Sequence, residues 1–214
     1  MAKARYVLSA TLAAPRHLEP ATYRGRMEKF VIEGGVPLSG TITPAGNKNA
    51  ALPALAAALL TEERVVLRNI PHIRDVETMI ELLRLLGADA DWIDRNVVAV
   101  CAAGVKETAV DPELARQIRA SFLLAGPLLA RFGRALMPPP GGDVIGRRRL
   151  DPHLDAFRAL GAEVRSGAHY EIVAPNGLRP CDFFMDEPSV MATENALMAA
   201  ALTPGTTIIH NAAA

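Results

Sequence analysis

From Lys48 onward the apolar residues follow two helical patterns and one extended pattern. In AALPALAAALL (50–60) and ASFLLAGPLLARFG (120–133) small and aliphatic residues run on with almost no polar face. That is the mark of a helix buried on all sides. In ELLRLLG (81–87) and DAFRALG (155–161) the apolar residues recur at helical spacing, and each run ends at a glycine. Those stretches predict amphipathic helices that cover something apolar. Each is followed by residues that read as two strands around a turn, ADADWIDRNVVAV (88–100) and AEVRSGAHYEIVA (162–174).

These elements recur as a unit. ELLRLLGADADWIDRNVVAV (81–100) resembles DAFRALGAEVRSGAHYEIVA (155–174), and AALLTEERVVLRN (57–69) resembles AAALTPGTTIIHN (199–211). The unit is a small-residue helix, a strand, a second helix and a strand pair, and its self-similarity marks a repeat architecture. Three units begin, with first helices expected near Lys48, Arg119 and Thr193 and second helices over 75–86 and 151–160. The third copy reaches HNAAA (210–214) before its second helix, so its apolar faces are expected to lack cover. The alternation predicts α/β or α+β packing. Pro53 and Pro127 interrupt the first helices, which either begin just before the proline or kink there.

Composition narrows the classes. Of 214 residues half are apolar and 21% charged, which supports a packed core. Basic and acidic residues number 23 each, so no nucleic-acid partner is expected. The longest apolar run is too short to span a bilayer and contains Pro53, so no membrane role is expected. Cys101 and Cys181 form no CxxC and imply a reducing, cytoplasmic compartment. Residues 1–26 are basic and patternless. They read as an extension or a mis-assigned start ahead of Met27, because Ser9 and Thr11 interrupt any signal-like apolar stretch.

Four stretches carry candidate chemistry. PAGNKNAALP (44–53) sets Lys48 and Asn49 at a helix start, where free N–H groups and the dipole attract anions. A solvated lysine at a capped helix is the plainer alternative. RQIRASFLLAGP (116–127) puts Arg119 at the equivalent place one unit later, so the two cations would converge if the repeats share an axis. PPPGGDVIGRRRLDPH (138–153) sets Asp143 after a Gly-Gly turn and before Arg147, Arg148 and Arg149. It suits bidentate phosphate or carboxylate binding, and equally a solvated hairpin. In DEPSVMATENALMAAAL (186–202), Ser189 or Thr193 caps the third buried helix. His153 and His210 read as structural or surface residues, and Trp92, Cys101 and Cys181 as packing residues.

Together and in this order, GNKNAALPALAAALL, RASFLLAGPLLARFG, PGGDVIGRRRLDPH, SVMATENALMAAAL and GTTIIHNAA resemble the UDP-N-acetylglucosamine 1-carboxyvinyltransferases. The resemblance runs from about Met27 to Ala214 and covers the N-terminal half of such enzymes. Shikimate-type enolpyruvyl transferases fit these motifs less well. The resemblance implies an inside-out α/β barrel of repeated β-α-β-α-β-β units, with the third repeat incomplete here. Residues 27–47 would be first strands belonging to the enzymes' other domain, and 48–214 the truncated transferase domain with its catalytic loop near 138–152. The implied reaction moves the enolpyruvyl group of phosphoenolpyruvate to the 3-hydroxyl of UDP-N-acetylglucosamine. That is the first committed step of peptidoglycan synthesis, on which cell wall, shape and division depend. No metal or organic cofactor is implied.

By position, the resemblance implies that Lys48, Asn49 and Arg148 bind phosphoenolpyruvate. Arg119, Arg148, Arg149, Leu150, Asp151, Pro152, Ser189 and Val190 would bind the sugar nucleotide. Asp143 falls where a cysteine usually donates a proton to the enolpyruvyl methylene. The flanking arginines lower a carboxyl pKa, so Asp143 is expected to be protonated only in the closed complex. Arg149 stands in place of a usual proline, Pro152 has no N–H to donate, and Glu187 stands where a positive side chain is common. The general-base aspartate lies in the other domain, so a complementing C-terminal half or self-association is expected. The competing reading is a non-catalytic substrate-binding or interaction remnant.

Overall fold

A computed structural model describes residues 35, 39–142 and 149–213. The chain divides into two units at Pro44/Ala45. The described residues of the first unit contain no helix or strand. Everything below concerns the second unit, Ala45–Ala214.

The repeat legible in the sequence is visible twice in three dimensions. The first copy runs α1 (Lys48–Ala57), β1 (Arg64–Arg68), α2 (Arg74–Leu85), β2 (Asp89–Asp94) and β3 (Val97–Cys101). A short helix α3 (Pro112–Ala115) leads into the second copy. That copy is a 3₁₀ turn over Arg119–Leu124, α4 (Ala125–Phe132), β4 (Arg134–Met137), α5 (Asp151–Ala159), β5 (Glu163–Ser166) and β6 (Tyr170–Val173). Each copy folds its strands into an antiparallel sheet of the same order, β1-β3-β2 and β4-β6-β5. The third copy comprises β7 (Asp182–Phe184), α6 (Val190–Ala200) and β8 (Ile208–His210), with β7 and β8 parallel. Among the described residues the sheets do not close into a barrel.

Backbone conformation repeats as well. Asn69 follows β1 with φ 58° and Asn211 follows β8 with φ 57°. Left-handed non-glycine residues are uncommon and asparagine tolerates them best. The matching asparagines in the two sequence stretches therefore mark one turn used twice.

Burial follows the sequence pattern. α2 turns Val76, Met79, Ile80 and Leu83 inward, all fully buried. Burying a side chain of this size contributes about 1.5–3 kcal/mol. Acidic Asp75 and Glu77 lie in its first turn and Arg84 in its last, which complements the helix dipole. α1 buries Ala51, Leu52, Leu55 and Ala56 and keeps Pro53 inside the helix, so one helical hydrogen bond is missing there. In the third copy Val190 and Leu197 on α6, Phe184 on β7 and Ile208 on β8 are exposed.

Two boundaries differ from the sequence reading. Arg119 opens a 3₁₀ turn rather than an α-helix. Pro127 cannot donate back to Leu123, and regular α-helix begins only at Ala125. The third buried helix starts at Val190, three residues before Thr193, because Ser189 caps it: its Oγ accepts from the Ala192 N–H at 3.3 Å. Trp92 is a half-buried packing residue, as expected, though its Nε1 also donates to Glu77 at 3.1 Å. His210 is exposed and pairs with Asp182 at 2.8 Å.

Candidate functional site

The site is assembled from helix starts. Asn47 caps α1, its Oδ1 accepting from the Asn49 N–H at 2.8 Å. Lys48 is the first helical residue, and its Nζ donates to Asp75 Oδ2 at 2.7 Å. Both side chains remain partly exposed, so the pair adds at most about 1 kcal/mol of stability. Its larger effect is to aim the ammonium along the start of α2. One repeat later Arg119 opens the 3₁₀ turn, and its Nη2 donates to the Arg149 carbonyl at 3.2 Å.

Gly141 and Gly142, after the triple proline, bond to the end of α3 beside this region. Gly141 N–H bonds to the Ala115 carbonyl and Gly142 N–H to the Arg116 carbonyl, each at 3.1 Å. Lys48, Asn49, Asp75, Gln117, Arg119 and Gly142 then line one cavity of about 270 Å³. The two cations that the repeat placed at equivalent helix starts therefore do share a pocket. Asp143 and Arg148 follow in the chain but lie outside the described residues.

A second recess, of about 250 Å³, shares Arg119 with the first. Arg149, His153, Glu187, Ser189 and Val190 are among the residues that line it. Arg149 Nε donates to Asp151 Oδ2 at 2.9 Å. Asp151 raises the pKa of that guanidinium, and Glu187 adds a smaller push in the same direction. Arg149 and Glu187, the two charge departures noted in the sequence, thus face one recess with opposite signs. Leu150 packs against the core and Pro152 is buried in the first turn of α5. Of the segment 149–152, the recess is lined by Arg149 alone.

Two groups, Asp75 and Glu194, escaped the sequence reading, and a third, His153, was read there only as a structural or surface residue. Asp75 holds Lys48, and its signal was its place at the head of a second helix, matched by Asp151 in the next copy. Glu194 lies one turn into α6 beside Asn49, Leu52 and Leu123, and burial raises its carboxyl pKa. His153 is buried, and burial together with the charge of Arg119 lowers its pKa to about 3. No sequence spacing announced the last two.

The arrangement suits a multiply charged anion. Lysine and arginine at helix starts supply charge, and the N–H groups of α1 and the 3₁₀ turn supply donors. Among the described residues no group of acidic, histidine or cysteine side chains could hold a metal ion. Nor is any described helix long and apolar enough to cross a membrane.

Known proteins are similar to this chain in sequence and in fold. The chain is 56% identical to UDP-N-acetylglucosamine 1-carboxyvinyltransferase of Bradyrhizobium diazoefficiens over 185 residues, which is 86% of this chain and 43% of that protein. The enzyme of the same name from Treponema denticola is 52% identical over 187 residues, 87% of this chain and 44% of that protein. The chain thus spans less than half the length of these relatives. In structure it resembles the enolpyruvyl transferase NikO from Streptomyces tendae, with TM-score 0.68 and 25% identity over 82% of this chain and 41% of that one. It shares its fold with EPSP synthase of Acinetobacter baumannii, with TM-score 0.64 and 17% identity over 79% of this chain and 40% of that one. Residues 32–214 match the family model of EPSP synthase (3-phosphoshikimate 1-carboxyvinyltransferase), and the chain belongs to that family.

Proposed function

We propose that this chain supplies the N-terminal portion of a UDP-N-acetylglucosamine 1-carboxyvinyltransferase. The enzyme would move the enolpyruvyl group of phosphoenolpyruvate to the 3-hydroxyl of the sugar nucleotide and release phosphate, committing the sugar to peptidoglycan synthesis. The two antiparallel repeats and the begun third would form an inside-out barrel. The observation that carries the reading is the shared cavity: Lys48 and Asn49 from the first repeat meet Arg119 and Gly142 from the second.

The chemistry needs what this arrangement offers. As the sugar hydroxyl forms its bond to C2, C3 of the enol must gain a proton and the hydroxyl must lose one. Expulsion of phosphate and loss of a C3 proton then restore the double bond. Lys48, Asn49 and Arg148 would hold the phosphate and carboxylate of phosphoenolpyruvate through this sequence. Arg119, Arg149 and Ser189, around the second recess, would hold the sugar nucleotide. Asp143 would supply the proton, because phosphoenolpyruvate's own charge and closure around it raise a carboxyl pKa.

Phosphate release from phosphoenolpyruvate and UDP-N-acetylglucosamine tests the proposal. Little or none is expected from this chain alone. Turnover is expected when the C-terminal half of a relative is supplied. Lys48→Ala should then lower kcat/KM about a hundredfold, a loss of about 2.7 kcal/mol in transition-state binding. An unchanged kcat/KM in that variant, or sugar-nucleotide binding without turnover when the partner half is bound, would overturn it.

A further inference from the structure

The most constrained polar cluster of the described residues lies where the 3₁₀ turn passes into α4. In a regular helix the Gly126 N–H would bond to the Phe122 carbonyl. Here both groups bond to the side chain of Asn195, which reaches in from α6 and is fully buried. Asn195 Oδ1 accepts from the Gly126 N–H at 2.9 Å, and Nδ2 donates to the Phe122 carbonyl at 2.9 Å. A Cβ on Gly126 would lie 2.6 Å from the Asn195 carbonyl oxygen and 2.8 Å from Oδ1. Glycine at 126 is therefore what admits α6 to this distance.

These two bonds leave no freedom of assignment. An N–H only donates and a carbonyl only accepts, so the carboxamide has one orientation. Its second amino hydrogen faces His153 Nδ1 at 2.9 Å. Nδ1 must then accept, and the ring carries its proton on Nε2. His153 is 2% exposed and lies edge-on to Phe122 with ring centroids 5.1 Å apart. Among the described residues no buried side-chain nitrogen or oxygen lacks a partner. Asn195 takes Nδ1, and His153 lines the recess of Arg119, Arg149 and Ser189. Nε2–H is thus the donor the ring has left to offer.

We propose that Asn195 is a positioning residue that locks His153 as a neutral Nε2–H donor to a phosphate oxygen bound between Arg119, Arg149 and Ser189. Between two arginines a neutral donor adds a hydrogen bond without adding a third repelling charge. Burial and Arg119 keep the ring neutral at physiological pH. The ligand class, a nucleotide pyrophosphate, rests on the function proposed above, whereas the tautomer rests on the hydrogen bonds alone.

Nitrogen-15 NMR of histidine-labelled full chain at neutral pH decides it. His153 should show a neutral ring protonated on Nε2, and saturating UDP or inorganic pyrophosphate should shift that signal. In Asn195→Asp the carboxylate can still accept from Gly126 but cannot donate to Nδ1, so the proton should move to Nδ1 or the ring should become charged. His153→Phe, which keeps the apolar packing, should weaken UDP binding about tenfold, the loss of one hydrogen bond to a charged acceptor. The wild-type spectrum stands if either variant fails to fold. A ring protonated on Nδ1 in the wild type overturns the proposal. So does an Nε2–H signal that neither probe moves, whether because none binds or because it binds elsewhere. If UDP or pyrophosphate shifts the signal but UDP-N-acetylglucosamine does not bind, the substrate reading falls and this assignment stands.

Discussion

Between pH 6.5 and pH 5 the folded domain should lose about 2 kcal/mol of stability through His153 alone. In the unfolded chain this imidazole takes up a proton near its ordinary pKa of 6.5, while in the fold it resists until about pH 3. Over that window the unfolded state binds more protons, so stability falls as pH falls, with a slope that grows to about 1.4 kcal/mol per pH unit near pH 5. The contribution is whole above pH 6.5 and gone below the folded value. Burial is the first cause and Arg119 the second, so a surface mutation should not remove the slope. Glu194 works in the opposite sense. Burial raises its carboxyl pKa, so the folded state gains its proton first and is favoured as the pH falls toward that value. Urea midpoints from pH 7 to pH 5 should therefore be compared in a Glu194→Gln background. His153→Gln, which keeps an acceptor for Asn195, should flatten the curve there. Parallel curves with and without the His153→Gln substitution would show that the imidazole is not buried neutral.

Gly141→Ala should release the Gly141–Gly142 turn from the end of α3, just ahead of Asp143 in the chain. An added Cβ would sit 1.6 Å from the Arg116 carbonyl oxygen and 2.3 Å from its carbon. That carbonyl is main chain at the end of α3 and already accepts the Gly142 N–H. It cannot rotate aside as a side chain would. The turn must move, and both hydrogen bonds at 3.1 Å go with it. The expected cost is about 3 kcal/mol of stability. In the complemented turnover assay kcat should fall at least about a hundredfold, since a displacement of about 1 Å is enough for that. Gly142→Ala makes a useful contrast. Its Cβ would come no closer than 3.0 Å to a neighbour, the Arg119 N, but its φ of 88° is left-handed. It should cost about 1 kcal/mol. If both variants unfold at the wild-type urea midpoint, the turn does not rest on α3 as described.

How far the sequence reached can be judged residue by residue. The repeat was readable because helix and strand periods are local properties, and the asparagines of VVLRN and TIIHN ended in the same left-handed turn. The convergence of Lys48 and Arg119 was readable for the same reason: equivalent positions in stacked repeats point to one axis. Ser189 as a helix cap followed from local side-chain chemistry, although Thr193 competed for that place until the Oγ contact decided it. The 3₁₀ turn at Arg119 was not readable, because the periodicity of ASFLLAGP is equally that of an α-helix. The family motifs located Asp143 and Arg148, but these lie outside the described residues and their roles remain part of the proposed function.

By itself, then, the sequence determined the elements, their repetition and the cations at the helix starts, because each is encoded within a few neighbouring residues. Only the tertiary structure decided the partners. Asp75 meets Lys48 from 27 residues away, and Asn195 meets Gly126 from 69 and His153 from 42. At such separations no local rule selects a pair. The packing of α6 against α4 and α5 does, and with it the protonation of His153 and the shape of the recess beside Arg119.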